Sequence, residues 1–389
     1  MKIAILSTSF PRFKGDYIAN FFLEIALKLA KDNKVSVVCP HDKGIKQFEI
    51  INGVRIKRFK YMFSRFEVLA YRDGMAVNIK KNIWMKLMFI PFLISFLFKS
   101  IKEVKNCDIV IANFVPSALI GLILKKFYKK PVILTVHRIV EDKGILGKMN
   151  KYVFENVDSV IFNSSYTQKK LFKFAKPKHQ KIIFVGIENS RFNQKERHYD
   201  GKRKLRIISI GRLIEKKGYP YLIDAISEIE KKYPNKLEVN IIGWGSLENS
   251  LNKQINKLGL QNINLLGGKP PGEIPKYLDS SDLFVLSSII DSKGETETLG
   301  VVLMEAMASG LPVIGSRVGG IVDVISEDSG FFIEQKNTKD LVEKISRFLE
   351  EPQLIEKKSK SAIKRARRLF DWEVLAKQYL DICVELINK

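Results

Sequence analysis

Short apolar runs rich in Ile and Val alternate with longer stretches whose apolar residues recur every three or four positions, and the alternation persists from residue 2 to about residue 370. This is the pattern of parallel sheets covered by helices. In the first half the predicted strands are KIAILSTSF, KVSVVCP, CDIVIANFVP, PVILTVHR, SVIFNSS and KIIFVGI, separated by helical segments such as YIANFFLEIALKLAKD and PSALIGLILKKFY. After Ile187 the chain turns polar, NSRFNQKERHYDGKRK, without an apolar period, and this stretch reads as a linker. A second series then predicts strands at LRIISIG, LEVNIIG, INLLGG, DLFVLSS and LPVIGS, and an amphipathic WEVLAKQYLDICVELINK closes the chain. The expectation is an α/β protein of two doubly wound domains, residues 1–190 and 205–370. Residues 191–204 would link them, and a tail helix at 371–389 would be free to pack back on the first domain. In open parallel sheets ligands bind beyond the carboxyl ends of the strands, so the loops there are where chemistry is to be sought.

Composition supports two cores: 389 residues, 46% of them hydrophobic, exceed what one core usually serves. Three widely spaced cysteines, Cys39, Cys107 and Cys383, offer neither a disulfide framework nor a zinc quartet, which fits a reducing compartment. The opening MKIAILSTSF enters a strand directly, without the basic region and cleavage site of a secretory leader, so a cytoplasmic protein is expected. Lys and Arg total 66 against 42 Asp and Glu, and the excess is lopsided: residues 1–190 carry 34 basic and 14 acidic side chains. The basic residues are scattered and match no zinc-finger, RNA-recognition or helix-turn-helix signature, so no nucleic-acid partner is expected. An anionic membrane surface or a polyphosphate ligand accounts for the asymmetry. The longest apolar stretch, Leu87 to Phe98, has about 12 residues where a spanning helix needs about 20. It reads either as a buried helix or as one lying in a lipid interface, with Trp84, Lys86 and Lys99 at its ends suited to the headgroup level.

The first loop, STSFPRFKGDY, holds one glycine, Gly15, and lacks the G-x-G-x-x-G of dinucleotide sites; no P-loop motif occurs in the chain. Gly15 serves either a turn or the close approach of backbone to a ligand. GRLIEKKG follows a predicted strand and places Arg212 and Lys217 on one loop, which is either a solvated basic surface or a clamp for a diphosphate. In ETLGVVLMEAMASGLPVIGS, Gly300 to Ser309 is predicted as a helix stopped by Gly310 and Pro312. Glu297 precedes it and Glu305 lies in its second turn, about 7.5 Å of axial rise beyond Gly300. The amides of Thr298, Leu299 and Gly300 would form an anion site at the helix start. The two glutamates are either a dipole-complementing charge and a surface residue, or ligands of a sugar and a ribose. A lone Glu in the otherwise apolar VVLMEAMA favours the second, because such a group needs a hydrogen-bonding partner.

GRLIEKKG, the Glu297 and Glu305 pair, EAMASGLPVIGS and IIGWGSL together resemble the nucleotide-sugar domain of the retaining glycosyltransferases of family four. STSFPRFKGDYIANFFLEIALKLA and LTVHRI are similar to that family's opening loop and its histidine-bearing strand end. The resemblance extends from about residue 1 to the tail and implies the GT-B fold: two Rossmann-like, doubly wound parallel-sheet domains facing a cleft. It further implies that Arg212 and Lys217 neutralise the donor diphosphate, that Glu305 holds the ribose hydroxyls, and that Glu297 with the backbone of Thr298, Leu299 and Gly300 grips the donor sugar. Gly15 would let the first loop meet the diphosphate, and His137 would face the donor sugar; taken alone, that histidine reads equally as a satisfied structural residue. Gly243 and Gly245 would line the nucleotide side, and the backbone near Gly268 and Lys269 would touch the base.

The function so implied is retaining transfer of a sugar from a UDP- or GDP-linked donor to a glycan or lipid-linked acceptor of the cell surface, at the cytosolic face of a membrane. No cofactor and no metal are expected: no Asp-x-Asp occurs, and two cations with a helix start can stabilise the leaving diphosphate. Two other readings share the architecture, a nucleotide-sugar 2-epimerase and a catalytically inactive sugar-nucleotide-binding protein.

Overall fold

The computed structural model describes residues 1–13, 15–16, 19–71, 75, 78–79, 83–139 and 143–389. The chain divides into two units, one made of Met1–Gly186 and Trp372–Lys389, the other of Ile187–Asp371.

In the first unit the strands are β1 (Lys2–Ser7), β2 (Lys34–Pro40), β3 (Phe48–Ile51), β4 (Val54–Phe59), β5 (Ile109–Asn113), β6 (Val132–Val136), β7 (Ser159–Phe162) and β8 (Gln180–Ile182). Among the described residues they form one sheet in the order β3-β4-β2-β1-β5-β6-β7-β8. Every pairing is parallel except β3 with β4. Strands β5, β6 and β7 are buried along their whole length, which is why they read as unbroken apolar runs and not as alternations. The β3–β4 hairpin is absent from the predicted strands. Its signal was the Asn-Gly pair: Asn52 and Gly53 take φ of 42° and 86°, the two positive angles of a tight hairpin turn.

The tail helix, Trp372–Ile387, belongs to this first unit. Its Trp372, Leu375, Tyr379 and Cys383 share a core with Phe22, Ile25, Ala26 and Leu29 of the Asn20–Leu29 helix. Lys28 and Lys31 both reach Glu373, at 3.1 and 2.6 Å. Gly186 lets the chain pass under Trp372, since a Cβ there would lie 2.3 Å from the indole.

The apolar run at Leu87–Phe98 is the middle of a 24-residue helix, Ile83–Asn106. By length and composition that helix could cross a bilayer, its most apolar window having a mean hydropathy of 1.6. Phe92, Phe96 and Val104 nevertheless pack into the core of the first unit. Ile83, Leu87, Ile90, Ile94 and Phe98, three or four residues apart, form an exposed apolar stripe flanked by Trp84. Of the basic cluster at Lys125, Lys126, Lys129 and Lys130, Lys125 is not a free surface cation. Its ammonium donates to both Asp158 oxygens at 2.6 Å, and Asp158 in turn accepts from the Val132 amide.

The second unit holds β9 (Leu205–Ile210), β10 (Leu237–Ile242), β11 (Ile263–Leu265), β12 (Leu283–Leu286), β13 (Val313–Ser316) and β14 (Gly330–Ile333). They form an all-parallel sheet ordered β11-β10-β9-β12-β13-β14. The stretch read as a linker is not a free tether: it is folded onto this unit. Phe192 and Tyr199 are buried, the Arg197 amide donates to Ser359 Oγ at 2.8 Å, and its guanidinium donates to the carbonyls of Asp279 and Ser309. Arg203 and Arg206 both clasp Asp282. Polar composition hid this packing because guanidinium groups carry several of its hydrogen bonds.

Candidate active site

The GRLIEKKG segment leaves β9 at its carboxyl end and makes a single 3₁₀ turn, Glu215–Lys217, before a helix at Tyr219–Lys232. Gly218 takes φ 65°, and a Cβ there would stand 1.9 Å from the carbonyl oxygen of Ser287, so only glycine lets this turn close on the end of β12. Ser287 Oγ secures the junction by donating to the Gly218 carbonyl at 3.0 Å. The loop separates its two cations. Arg212 is exposed, whereas Lys217 is buried, its stem lying along Gly211 and its Nζ 2.9 Å from Glu297 Oε1.

Glu297 and the Gly300 cap are held by the next loop. Gly319 and Gly320 lie so close to residues 297 and 298 that a Cβ on either would strike their carbonyl oxygens, at 1.9 and 2.1 Å, and the Gly320 amide donates to the Glu297 carbonyl. Among the described residues the amides of Thr298, Leu299 and Gly300 donate to no acceptor. Val301–Ala308 then forms the helix expected here, with Gly300 at its cap in the left-handed region. Glu305 sits in it, half-buried, and burial pushes its carboxyl pKa up to about 7 against a weaker opposing pull from Arg191. Segment 289–295 braces the Lys217 turn: Ser292 donates from its amide and its hydroxyl to Glu215, and the Ile289 amide donates to the Lys216 carbonyl. Ser288 Oγ and Thr296 Oγ1 are buried without a partner among the described residues.

Gly243 and Gly245 act on backbone. A Cβ on the first would be 1.8 Å from Gly211 O and on the second 2.4 Å from Leu213 O, so they let the loops after β9 and β10 interlock. Gly268 lies under Trp244, and Lys269 extends over the Tyr277 ring at 5.8 Å.

The other two predicted residues lie in the first unit. Gly15 has φ 90° with open space around its Cβ direction, in a turn closed by the Asp16 amide donating to Phe13 O. His137 follows β6, its ring 4.9 to 6.1 Å from those of Phe21, Phe22 and Phe114. Both ring nitrogens are buried and unpartnered among the described residues. Burial, aided by Arg138, pushes the His137 pKa down to about 3, so the imidazole is neutral at physiological pH. It lines a cavity of about 10 Å³, room for one water, together with Asn113, Trp372 and Tyr379.

The second unit thus joins Lys217 to Glu297, with Arg212 on the same loop as Lys217 and Glu305 in the helix that follows Glu297, and among the described residues the amides of Thr298, Leu299 and Gly300 are unpaired. Arg191, inside the stretch read as a linker, and Trp244, between Gly243 and Gly245, are not among the residues the sequence singles out.

Residues 190–369 match the family profile described as Glycosyl transferases group 1, and residues 18–191 match Glycosyltransferase Family 4. The chain is 40% identical over 163 residues to the amylovoran biosynthesis glycosyltransferase AmsK of Erwinia amylovora, covering 41% of this chain and 39% of that protein. It is 27% identical over 333 residues to an uncharacterized glycosyltransferase of Methanocaldococcus jannaschii, covering 82% and 88% of the two. Among solved structures, Anabaena HepE in complex with UDP superposes with a TM-score of 0.74 at 19% identity, over 99% of this chain and 100% of that one. The fold is GT-B. The chain belongs to family four of the glycosyltransferases.

Proposed function

We propose that this glycosyltransferase moves a sugar, with retention of anomeric configuration, from a UDP- or GDP-linked donor to a glycan or lipid-linked acceptor in cell-surface polysaccharide or glycolipid synthesis. The observation that carries the reading is the meeting of Lys217 and Glu297 at 2.9 Å beside the unpaired amides of Thr298 to Gly300. Ion pair and amides offer complementary halves of a site. The cation and the amides suit a leaving diphosphate, and the carboxylate suits the hydroxyls of the sugar attached to it. Exposed Arg212 adds a second cation, and Glu305 takes the ribose. When the bond between the anomeric carbon and phosphate breaks, negative charge grows on the diphosphate, where these groups are already oriented and need no metal ion. The leaving phosphate takes the acceptor's proton. A neutral His137 suits a hydrogen-bonding role toward the donor sugar, for which its ring would have to turn out of its aromatic surround. The UDP complex of HepE and the polysaccharide role named for AmsK support the donor class and the pathway type.

The cytosolic face of an anionic membrane is the proposed location. The apolar stripe on Ile83–Asn106 and the basic excess of residues 1–190 support it. Incubating the protein with a panel of UDP- and GDP-sugars, with and without chelator, tests the chemistry. Slow release of diphosphate from one donor, unchanged by chelator, is expected; no turnover or binding of any sugar nucleotide would overturn the transferase mechanism drawn here. Liposome flotation tests the location, which requires anionic lipid and low salt; protein that ignores such vesicles is not a peripheral membrane enzyme.

A further inference from the structure

Besides the small cavity at His137, the first unit holds a larger one of about 230 Å³, between the chain that leaves β6 and the helix Ser165–Leu171 that follows β7. The two strands are parallel neighbours, so the cavity sits at their carboxyl ends, where ligands of such sheets lie. Its wall has two characters. Buried Val136 and Leu171 and half-buried Phe174 make an apolar side, to which Ile139 adds an exposed edge. Arg138, Lys170 and Lys173 bring three positive charges, and none of the described residues that line the cavity is acidic. Among the described residues these three cations make no ion pair; Lys170 is met by the Tyr166 ring at 5.5 Å, which leaves its charge uncancelled. The surrounding sequence is biased the same way, with six lysines and no acidic residue from Ser165 to Lys181. The pocket is also tied to His137. Thr167, which lines it, donates from its hydroxyl to Asn163 Oδ1 at 3.0 Å, and Asn163 donates to the His137 carbonyl at 3.4 Å.

Three like charges gathered on one cavity repel one another, an arrangement that an anion relieves. A small anion alone would leave the apolar side unused. A volume of about 230 Å³ is also short of the roughly 300–1,000 Å³ that encloses a whole drug-sized ligand, so the pocket grips part of a longer molecule. We propose that it holds the phosphate and the first carbons of a phosphate-linked lipid, the chain that carries the acceptor sugar. The cations take the phosphate oxygens, to which the planar fork of Arg138 is suited, and the apolar side takes the start of the hydrocarbon. Arg138 follows His137 directly, so a sugar attached to that phosphate begins beside the residue assigned above to the donor sugar. This inference rests on the acceptor reading above and narrows it, from a glycan or lipid-linked acceptor to a lipid joined to its sugar through phosphate.

The test is calorimetric binding of farnesyl diphosphate, farnesol and inorganic pyrophosphate to the full chain, with the donor site filled by saturating UDP or GDP, whichever binds. Farnesyl diphosphate should bind at least tenfold more tightly than farnesol or pyrophosphate, each of which offers half of the ligand. Lys170→Ala with Lys173→Ala should weaken it about tenfold while nucleotide-sugar affinity and melting temperature stay unchanged. Lys170→Arg with Lys173→Arg, which keeps the charges, should restore it. Ile139→Ser should weaken it several fold and leave pyrophosphate alone. Wild type that binds nucleotide but no farnesyl diphosphate, or whose farnesyl diphosphate binding ignores the loss of both lysines, would overturn the pocket and leave the donor site standing. Equal binding of pyrophosphate would overturn it by showing a site for free phosphate. Alanine variants that no longer float with phosphatidylglycerol vesicles yet keep farnesyl diphosphate would overturn it by assigning the lysines to the bilayer surface. Charge-dependent binding of farnesyl diphosphate by a protein that binds neither nucleotide would instead overturn the donor reading and keep the pocket.

Discussion

His137 in the first unit and Glu305 in the second are both titratable groups withdrawn from water, and burial moves both toward the neutral form, the histidine down to about 3 and the glutamate up to about 7. Their surroundings differ. Among the described residues His137 is walled by Phe21, Phe22 and Phe114, and the charge that acts on it is the repulsion of Arg138. Glu305 has Arg191 pulling against its desolvation. Lys217 and Glu297 show a third arrangement, two largely buried charges at 2.9 Å that compensate each other. The first unit keeps this histidine neutral by apolar enclosure; the second keeps charge available by pairing it. A diphosphate needs the second kind of environment, and an ion pair already in place can exchange one partner for a ligand without exposing either charge to a dry interior.

That contrast can be broken in four ways. Removing one member of the buried pair has the largest expected effect. Lys217→Ala strands Glu297, lowering the unfolding free energy by about 3 kcal/mol or somewhat more and donor turnover by roughly 100-fold. Denaturant titration and diphosphate release measure the two, and unchanged stability would mean that the pair is solvated.

Next comes acid sensitivity of the first unit. A histidine whose folded pKa is depressed contributes stability that is complete above its unfolded value near 6.5 and fades as pH falls toward 3, because the unfolded chain then binds the proton more readily. Between pH 7 and 5 this amounts to about 2 kcal/mol. His137→Phe, which fills the same aromatic enclosure, should lack that share of the loss in urea titrations at the two pH values.

Glu305 has the opposite slope. Its folded pKa is raised, so between about pH 4.5 and 7 the folded state holds the extra proton, and stability falls as pH rises. Glu305→Gln should therefore be the more stable protein at pH 8, by about 1 to 2 kcal/mol once partial exposure is allowed for. A ribose that hydrogen-bonds to the ionised carboxylate gives wild type an affinity for UDP that climbs through pH 7 relative to the Gln variant. Parallel pH profiles for the two would remove Glu305 from the ribose.

The smallest stability change is expected at Arg212. It is exposed and makes no ion pair among the described residues, so Arg212→Ala should alter unfolding by no more than about 0.5 kcal/mol while weakening UDP binding at least tenfold. Equal binding by the two proteins would leave the diphosphate to Lys217 and the amides alone.

Much of this protein was legible without coordinates. Strands β1, β5, β6 and β7 and the strands of the second sheet other than β14 announce themselves as Val- and Ile-rich runs, because a strand covered on both faces must be apolar throughout. The helix start at Gly300 and its stop at Gly310 were equally readable, since capping acts within a few residues along the chain. Glu305 stood out as the one charge in an apolar helix. The four residues of β3 and of β14 carry too little periodicity to be read, and the six of β4 went unread with their hairpin partner even though Asn52-Gly53 marked the turn.

What only the tertiary structure decided are the relations between residues far apart in the chain. Sequence placed Arg212 and Lys217 on one loop as equals; folding exposed one and sank the other against Glu297. A polar stretch with no period became a strap whose arginines reach Asp279, Ser309 and Asp282, bringing Arg191 within electrostatic range of Glu305. The tail helix joined the first unit through Trp372, and Trp244 was left exposed beside Gly268. Periodicity records whether a residue is buried, which is a property of its own position. Which charge meets which, and which ring stays in water, depends on the packing of several loops at once, and that is settled only when the loops close on one another.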